Sequence, residues 1–392
     1  MSDRTIFDQL KESLQGELLV DDLSRKMYAT DASAYREIPS AVALPKTNSD
    51  IELLISFATA NHTSIIPRTA GTSLAGQVVG AGIVVDVSKH LNQILEINTE
   101  EKWVRVQPGV IRDELNQYLE PYGFIFGPET STANRAMIGG MIGNNSCGSN
   151  SIVFGSTRDH LKSATVLLSD GNEVVFEDLS ITEFDDKCLL NSLEGNLYRN
   201  AKALFSDESN RAEIENQFPK KSIDRRNTGY AIDLLKDTEP FLSGGKPFNF
   251  CQLLAGSEGT LGFVTEAKLS ISPLPPKYKA LVCGHYESVN DSLLANLIAL
   301  KYAPSASELM DHYILDCTKD NLAQSKNRFF VQGDPKAVLV VELSADSQEK
   351  LEKKCQSFIA ELQQNKLGYH YPIIQGEDIK KVWELRKAGL GL

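Results

Sequence analysis

The sequence lacks several features that would place it in a common class of protein. No apolar run approaches the roughly 18 residues of a membrane-spanning helix, and the polar amphipathic N-terminus has no signal-peptide core. The six cysteines include no CxxC pair, which argues against a zinc site or a disulfide framework and favours reduced, buried thiols. Internal repeats and low-complexity tracts are also missing. We therefore expect a protein of the cytoplasm.

The composition is that of a folded protein with an acidic surface. Of 392 residues, 42% are hydrophobic and 23% are charged, and the length suits two or three domains. Asp and Glu number 52 against 40 Lys and Arg, giving a formal charge of −12. Such a surface repels phosphate backbones and anionic lipids, so neither nucleic acid nor a membrane surface is expected as the main partner.

The order of sequence signals divides the chain into three regions. Residues 1–36 read as a helical lead, and residues 37–274 alternate helix and strand signals, as in an α/β or α+β domain. Three prolines in Ser272–Pro276 predict a boundary. Residues 275–392 follow with a small split β-α-β pattern. The amphipathic helix predicted at Glu377–Leu392 has no clear terminator, and we interpret the chain as truncated.

The strongest local feature is the loop Pro67–Gln77, which follows a short predicted strand. Its small residues would let backbone N–H groups approach an anion, and pyrophosphate is the natural ligand. It is not a P-loop, because Gln77-Val78 stands where Lys and Ser/Thr are required, and the GxGxxG fingerprint is absent. The alternative is a tight surface turn.

Two further segments are rich in small residues. Pro128–Arg135 runs into Ile138–Gly148, whose four glycines make poor helix and strand material and suit backbone packing against a flat ligand with phosphates. Apolar residues in the second stretch argue against a floppy loop. Gly256–Glu266 reads as a glycine-rich connection between two strands, and taken alone it does not indicate a function.

Together these segments resemble the FAD-linked oxidases with a PCMH-type FAD-binding domain. The resemblance rests on PRTAGTSLAGQ, SxxNRAxIGGMIGNNSCGSxS, HxxxAxVLLxDG and GSEGTLGFVTEA, with Asp31–Tyr35 and Arg225–Tyr230 also matching. Within the family the chain is most similar to the D-lactate and D-2-hydroxyglutarate dehydrogenase branch, in particular to the long bacterial form that continues into an iron–sulfur module. The implied fold is α+β: a PCMH-type FAD-binding domain of two α/β subdomains at 37–274, followed by a partial ferredoxin-like cap domain at 275–392.

The resemblance also implies a non-covalent FAD and a set of contacting residues. The first loop would lie on the pyrophosphate, the second segment on the flavin and ribityl side, and the third beside the cofactor. The residues concerned are Pro67, Arg68, Thr69, Ala70, Gly71, Thr72, Ser73, Leu74, Gly76 and Gln77; Pro128, Thr132, Asn134, Ile138, Gly139, Gly140, Gly143, Asn144, Asn145 and Ser151; and Glu258, Gly259 and Val264.

The substrate side has fewer candidates. Trp383–Arg386 fits the family's W-x-x-R segment, so Arg386 would meet the substrate carboxylate, with an exposed helix arginine as the alternative. The family's metal-assisted base comes from two histidines a few residues apart. None of the six histidines has such a neighbour, so we expect the base to be missing from this chain and assign no metal ligands. No ferredoxin-like cysteine run is present.

The resemblance implies a function. The expected reaction is FAD-dependent oxidation of a D-2-hydroxy acid, D-lactate or D-2-hydroxyglutarate, to the 2-oxo acid, with hydride transfer to flavin N5. Electrons would pass to a quinone, a cytochrome or an iron–sulfur module, not to NAD, and such an acceptor would bring the protein to the inner membrane as a peripheral component. Two alternatives stay open. One is a non-catalytic FAD-binding or electron-transfer subunit, or a fragment of a larger oxidoreductase; the other is an oxygen-using alcohol or sugar oxidase.

Overall fold

The computed structural model describes residues 3–223, 225–227 and 229–389, and for residues 3–5 the backbone alone. Two compact units divide the chain: unit 1 comprises Met1–Cys147 and Ser156–Pro273, and unit 2 comprises Gly148–Gly155 and Leu274–Leu392. None of the helices in the described ranges has both the length and the apolar character to cross a membrane. The boundaries expected from the sequence stay predictions.

The helices and strands are numbered in chain order. They are α1 (Asp3–Ser13), β1 (Glu17–Leu19), α2 (Asp22–Met27), β2 (Ala41–Leu44), α3 (Asn48–Ala60), β3 (Ile65–Arg68), β4 (Ile83–Asp86), β5 (Ile94–Asn98), β6 (Trp103–Val106), α4 (Arg112–Leu119), β7 (Phe124–Ile125), α5 (Ile138–Gly143), α6 (Ser151–Phe154), α7 (Thr157–His160), β8 (Leu161–Leu167), β9 (Glu173–Phe176), α8 (Ile181–Leu189), α9 (Leu193–Ser206), α10 (Glu208–Gln217), α11 (Ile232–Leu235), α12 (Cys251–Leu254), β10 (Phe263–Ser270), β11 (Ser272–Pro273), β12 (Tyr278–Tyr286), α13 (Val289–Leu300), β13 (Ala306–Asp311), α14 (His312–Cys317), β14 (Ala337–Ala345), α15 (Gln348–Gln364), β15 (Ile373–Gln375) and α16 (Asp378–Ala388).

The first sheet of unit 1 has the strand order β1-β2-β4-β3. Strands β2, β4 and β3 run parallel, while β1 pairs antiparallel with β2. Every residue of β2 and β4 is buried, as expected for central strands of a parallel sheet. The region expected to be a helical lead therefore also supplies a strand, because buried Leu18 completes the edge of this sheet.

The second sheet of unit 1 is antiparallel, in the order β5-β6-β10-β8-β9. The hairpin predicted around Asp170-Gly171 is confirmed as the β8–β9 pair, and Gly171 adopts the positive φ of 82° that its turn needs. Behind this sheet, Phe184 packs edge to face against Tyr198 and Phe248, with ring centroids 5.6 and 4.8 Å apart.

Unit 2 is built on one antiparallel sheet, β13-β14-β12-β15. Alternate residues of β12 and β14 face opposite sides, as the two-residue period of a strand requires. One side packs against α13 and α15, and the other against α14 and α16. The predicted strand, helix and strand pattern is confirmed.

Several expectations about local structure are wrong. Ile138–Gly143 is a short helix despite its glycines, because Ile138, Met141 and Ile142 are buried on one side of it. The third glycine-rich segment follows helix α12 rather than a strand. Of the six thiols expected to be buried, Cys251, Cys283 and Cys355 are buried, Cys147 and Cys188 are half-buried, and Cys317 is exposed. Thr228 of the matched motif and residues 390–392 lie outside the described residues.

Candidate cofactor-binding site

The first loop leaves strand β3 at the carboxyl edge of the parallel strands, the position at which open α/β sheets bind ligands. From Thr69 it runs irregularly to β4. Gly71 and Gly76 have φ values of 63° and 78°, a conformation that favours glycine. A side chain at Gly71 would also collide with the Arg68 guanidinium.

The N–H groups of this loop are available to a ligand. Among the hydrogen bonds between described residues, none uses the backbone N–H of Ala70 through Leu74. These five consecutive residues are half-buried apart from exposed Leu74. A row of backbone N–H groups without a partner in the protein, in a glycine-containing loop, suits an anion. The loop therefore fits a diphosphate such as that of FAD.

Arg68 anchors the loop with its side chain. One guanidinium nitrogen, Nη1, donates to the carbonyl oxygens of Thr30 at 3.0 Å and Tyr28 at 3.4 Å. The Tyr28 hydroxyl in turn donates to the buried carboxylate of Asp86 at 2.7 Å. Burial lowers the pKa of Arg68 and raises that of Tyr28. The guanidinium thus fixes the base of the loop to residues 28–30.

Helix α5 packs closely against the first loop. The N–H of Gly139 donates to Pro108 O at 2.8 Å, and a Cβ on Gly139 would lie 2.7 Å from the Pro108 Cβ. A Cβ on Gly140 would lie 2.6 Å from Thr69 Oγ1. These approaches explain the two glycines, because Pro108 and Thr69 occupy the space that a side chain on α5 would need.

The third loop completes the cluster. Gly256 N donates to Ile142 O at 2.9 Å, and Glu258 N donates to Gly143 O at 3.0 Å. Gly259 approaches Pro67 so closely that an added Cβ would lie 3.3 Å from the ring. Gln77 Nε2 donates to Glu258 Oε1 at 3.4 Å. The structure thus brings together residues of all three glycine-rich segments, which are far apart in sequence.

The other predicted residues of unit 1 have contacts of their own. Arg112 Nε donates to Pro128 O at 3.1 Å and fixes the loop that leads to α5. On that loop, the Thr132 hydroxyl lies 3.2 Å from the Thr130 hydroxyl, and exposed Asn134 accepts from Arg135. Asn144 follows α5 and donates its N–H to Gly140 O. Val264 is half-buried on strand β10.

Asn145 is fully buried, has a positive φ of 47° and hydrogen-bonds to Arg158, a residue that the sequence analysis did not identify. Its Oδ1 accepts from the Arg158 N–H at 2.8 Å. The Arg158 guanidinium, also buried, donates to the carbonyls of Gln252 at 2.9 Å, Ala255 at 2.5 Å and Arg226 at 3.3 Å. Burial lowers the pKa of Arg158. The sequence shows a capping pattern around this residue but nothing that indicates its partners.

Two predicted residues belong to unit 2. Ser151 begins the short helix α6 and is half-buried. Arg386 lies on α16 and makes two hydrogen bonds to Glu308 Oε2, from Nε at 2.9 Å and from Nη2 at 2.5 Å. The nearby Trp383 Nε1 donates to Glu342 Oε2 at 3.2 Å. The expected carboxylate-binding arginine is therefore paired with a carboxylate of its own chain.

Two histidines of unit 2 are neighbours in space although they are distant in sequence. The rings of His285 and His370 lie 5.0 Å apart between centroids. His285 is fully buried, its Nδ1 lies 2.9 Å from Cys283 O, and its Nε2 accepts from the Gln332 N–H at 3.2 Å. No group of three or more His, Cys, Asp or Glu side chains in the described ranges could hold a metal ion.

Comparison with known proteins gives the family. The family model for the FAD binding domain matches residues 39–177, and that for the C-terminal domain of FAD linked oxidases matches residues 275–392. The D-2-hydroxyglutarate dehydrogenase of Pseudomonas putida is 34% identical over 96% of this chain and 38% of its own length. That of Escherichia coli is 32% identical over 97% of this chain and 38% of its own.

More distant relatives agree with this result. The mitochondrial D-lactate dehydrogenase [cytochrome] of Kluyveromyces lactis is 26% identical over 90% of this chain and 50% of its own. The solved structure of an alkyldihydroxyacetonephosphate synthase aligns over 98% of this chain and 64% of the synthase chain, with a TM-score of 0.64 and 16% sequence identity. This similarity shows a shared fold.

The chain spans 38% of the length of the D-2-hydroxyglutarate dehydrogenases described above. The iron–sulfur continuation that the resemblance implied is not borne out by the matches. The two family models, the α+β fold and the similarity over nearly all of this chain agree with one another. The chain therefore carries the FAD binding domain and the C-terminal domain of the FAD linked oxidases, and its cofactor is FAD.

Proposed function

We propose that this chain is the FAD-binding and cap part of a dehydrogenase that oxidises a D-2-hydroxy acid to the 2-oxo acid. The observation that supports it is the row of backbone N–H groups at Ala70–Leu74 that have no hydrogen-bond partner among the described residues. The glycine contacts of α5 and the third loop also support it. The relatives with the greatest similarity among those described are named D-2-hydroxyglutarate dehydrogenases, and this acid is the first candidate substrate.

The residues of unit 1 would bind and orient the cofactor. The N–H groups of the first loop would take the diphosphate, and helix α5 and the third loop, which pack against this loop, would lie beside the cofactor. FAD, when bound, supplies the hydride acceptor for oxidation at the α-carbon. The side-chain base that takes the hydroxyl proton is not among the assigned residues.

The residue proposed for the substrate carboxylate is Arg386. Its planar fork suits a carboxylate, and it already holds Glu308 in this manner. A substrate carboxylate would replace Glu308 as its partner. The electron acceptor is proposed to be a quinone, a cytochrome or an iron–sulfur module, with the protein in the cytoplasm or at the inner membrane through that acceptor.

Anaerobic mixing of the FAD-loaded chain with D-2-hydroxyglutarate and with D-lactate tests the proposal. Loss of the visible absorbance of oxidised flavin with one of these acids would support it and identify the substrate. The L-enantiomers serve as the matched controls. A yellow protein that neither D-acid reduces would refute catalysis by this chain and support the alternative of a FAD-binding subunit or fragment. Rapid reoxidation by air after reduction would favour an oxidase.

A further inference from the structure

Five of the six exposed residues of helix α13 are aliphatic, and the sixth is Asn290 near its start. Leu293 is 53% and Leu297 is 62% exposed. The exposed aliphatic residues, which we call the α13 aliphatic face, are Val289, Leu293, Leu294, Leu297 and Leu300. Their spacing places them on one side of the helix. The opposite side, with Ala295 and Ile298, already packs against the sheet of unit 2.

The neighbouring helix α15 shows that a helix can pack on this sheet without exposing large aliphatic residues to solvent. Both helices cover the same side of the sheet. The exposed positions of α15 are polar apart from Ala360, for example Lys350, Lys353 and Gln356. An aliphatic stripe on one of two equivalent helices therefore indicates a contact outside the sheet rather than a property of the fold.

We propose that the α13 aliphatic face is the contact between two copies of this chain, packed antiparallel about a two-fold axis. The charges at the ends of the helix favour this occupant. Glu287 and Asp291 flank the start of α13, and Lys301 follows its last residue and is 63% exposed at its side chain despite an ion pair with Glu361. An antiparallel two-fold places the acidic end of each helix beside Lys301 of the other.

The area of the face is adequate for a dimer of moderate affinity. Exposed apolar patches of about 300–600 Å² are the largest that monomers usually show and often mark interfaces, and five aliphatic side chains that are 38–62% exposed reach that range. Burying one such patch on each copy supplies roughly half of the 1,200–2,000 Å² of a stable interface, and a polar rim would supply the rest. The stripe itself contains no acidic residue, although the chain has a net charge of −12.

Sedimentation velocity of the FAD-loaded chain over a range of concentrations tests this proposal. The wild-type chain should show a concentration-dependent monomer–dimer equilibrium. Leu297→Glu places a charge in the centre of the face and should weaken the dimer at least tenfold. Leu322→Glu is the matched control, because Leu322 is 94% exposed in the same unit but lies outside the face, and its dimer should be unchanged. Circular dichroism checks that both variants are folded.

A charge exchange tests the antiparallel arrangement. Lys301→Glu should weaken the dimer, and adding Glu287→Lys should restore part of the lost affinity. A monomeric wild-type chain at all concentrations would overturn the proposal and assign the face to another partner or to another segment. A dimer that Leu297→Glu leaves intact, or that Leu322→Glu disrupts equally, would also overturn it.

Discussion

Replacing the buried Arg158 should destabilise unit 1 far more than removing an arginine with two carboxylate partners. Arg158→Met leaves the carbonyl oxygens of Gln252 and Ala255 without their donor. It also removes one of the two donors to Arg226 O, which keeps its hydrogen bond from Asn145 Nδ2. Each unpaired buried acceptor costs about 1–3 kcal/mol. Part of this loss is offset because the buried charge no longer has to be desolvated. We expect a loss of about 3 kcal/mol in the free energy of unfolding.

The matched control is Arg105→Met. Arg105 contacts Glu96 at 3.1 Å and Glu266 at 3.0 Å, but its side chain is 44% exposed. Exposed ion pairs contribute up to about 1 kcal/mol, so we expect a loss below that value. Urea unfolding at fixed FAD concentration, followed by Trp103 fluorescence in a Trp383→Phe background, reports on unit 1. An equal loss in the two variants, or a loss below about 1 kcal/mol for Arg158→Met, would refute the reasoning.

Three further predictions follow from the contacts described. Gly140→Ala places a Cβ 2.6 Å from Thr69 Oγ1 and should weaken FAD binding about tenfold, since overpacking costs about 1–3 kcal/mol. Adding Thr69→Ala should restore the affinity for FAD, measured by flavin titration. A double variant that binds FAD no better than Gly140→Ala would count against the contact. Burial lowers the pKa of His285, so the free energy of unfolding of unit 2 should fall as the pH drops below the unfolded-state histidine pKa of about 6.5. His285→Phe should make the free energy of unfolding depend less on pH, as measured by urea unfolding at several pH values. The same pH dependence in His285→Phe and wild type would contradict this prediction. Glu308→Gln removes the negative charge that Arg386 holds and should lower the half-saturation concentration of the substrate about two- to fivefold, since a partly exposed ion pair contributes up to about 1 kcal/mol. A higher value in steady-state kinetics would show that Glu308 helps substrate binding.

Local sequence patterns predicted the features that depend on a few neighbouring residues. The loop Pro67–Gln77 was recognisable because its glycines and small residues follow a strand. The strands and helices of unit 2 were recognisable from the period of their apolar residues. Helix α5 was missed because glycine lowers helix propensity by about 1 kcal/mol, whereas the close contacts of Gly139 and Gly140 depend on residues elsewhere in the chain.

Contacts between distant segments could not be predicted. Arg158 has partners in three other segments, and His285 meets His370 across a bridge between them. The pairing of Arg386 with Glu308 likewise joins α16 to β13. Residue type and local spacing carry no information about such partners, because register and packing alone decide which side chains meet.

The most direct test of the central claim is calorimetric titration of the apoprotein with FAD and with riboflavin, which lacks the diphosphate and the adenosine. If the N–H groups of Ala70–Leu74 take the diphosphate, FAD should bind at least about 100-fold more tightly than riboflavin. Two hydrogen bonds to a charged group, at about 1.5 kcal/mol each, are enough to give that factor. ADP should then compete with FAD, and raised salt should weaken FAD binding more than riboflavin binding. Equal affinities for FAD and riboflavin, with no competition by ADP, would contradict the assignment of the loop.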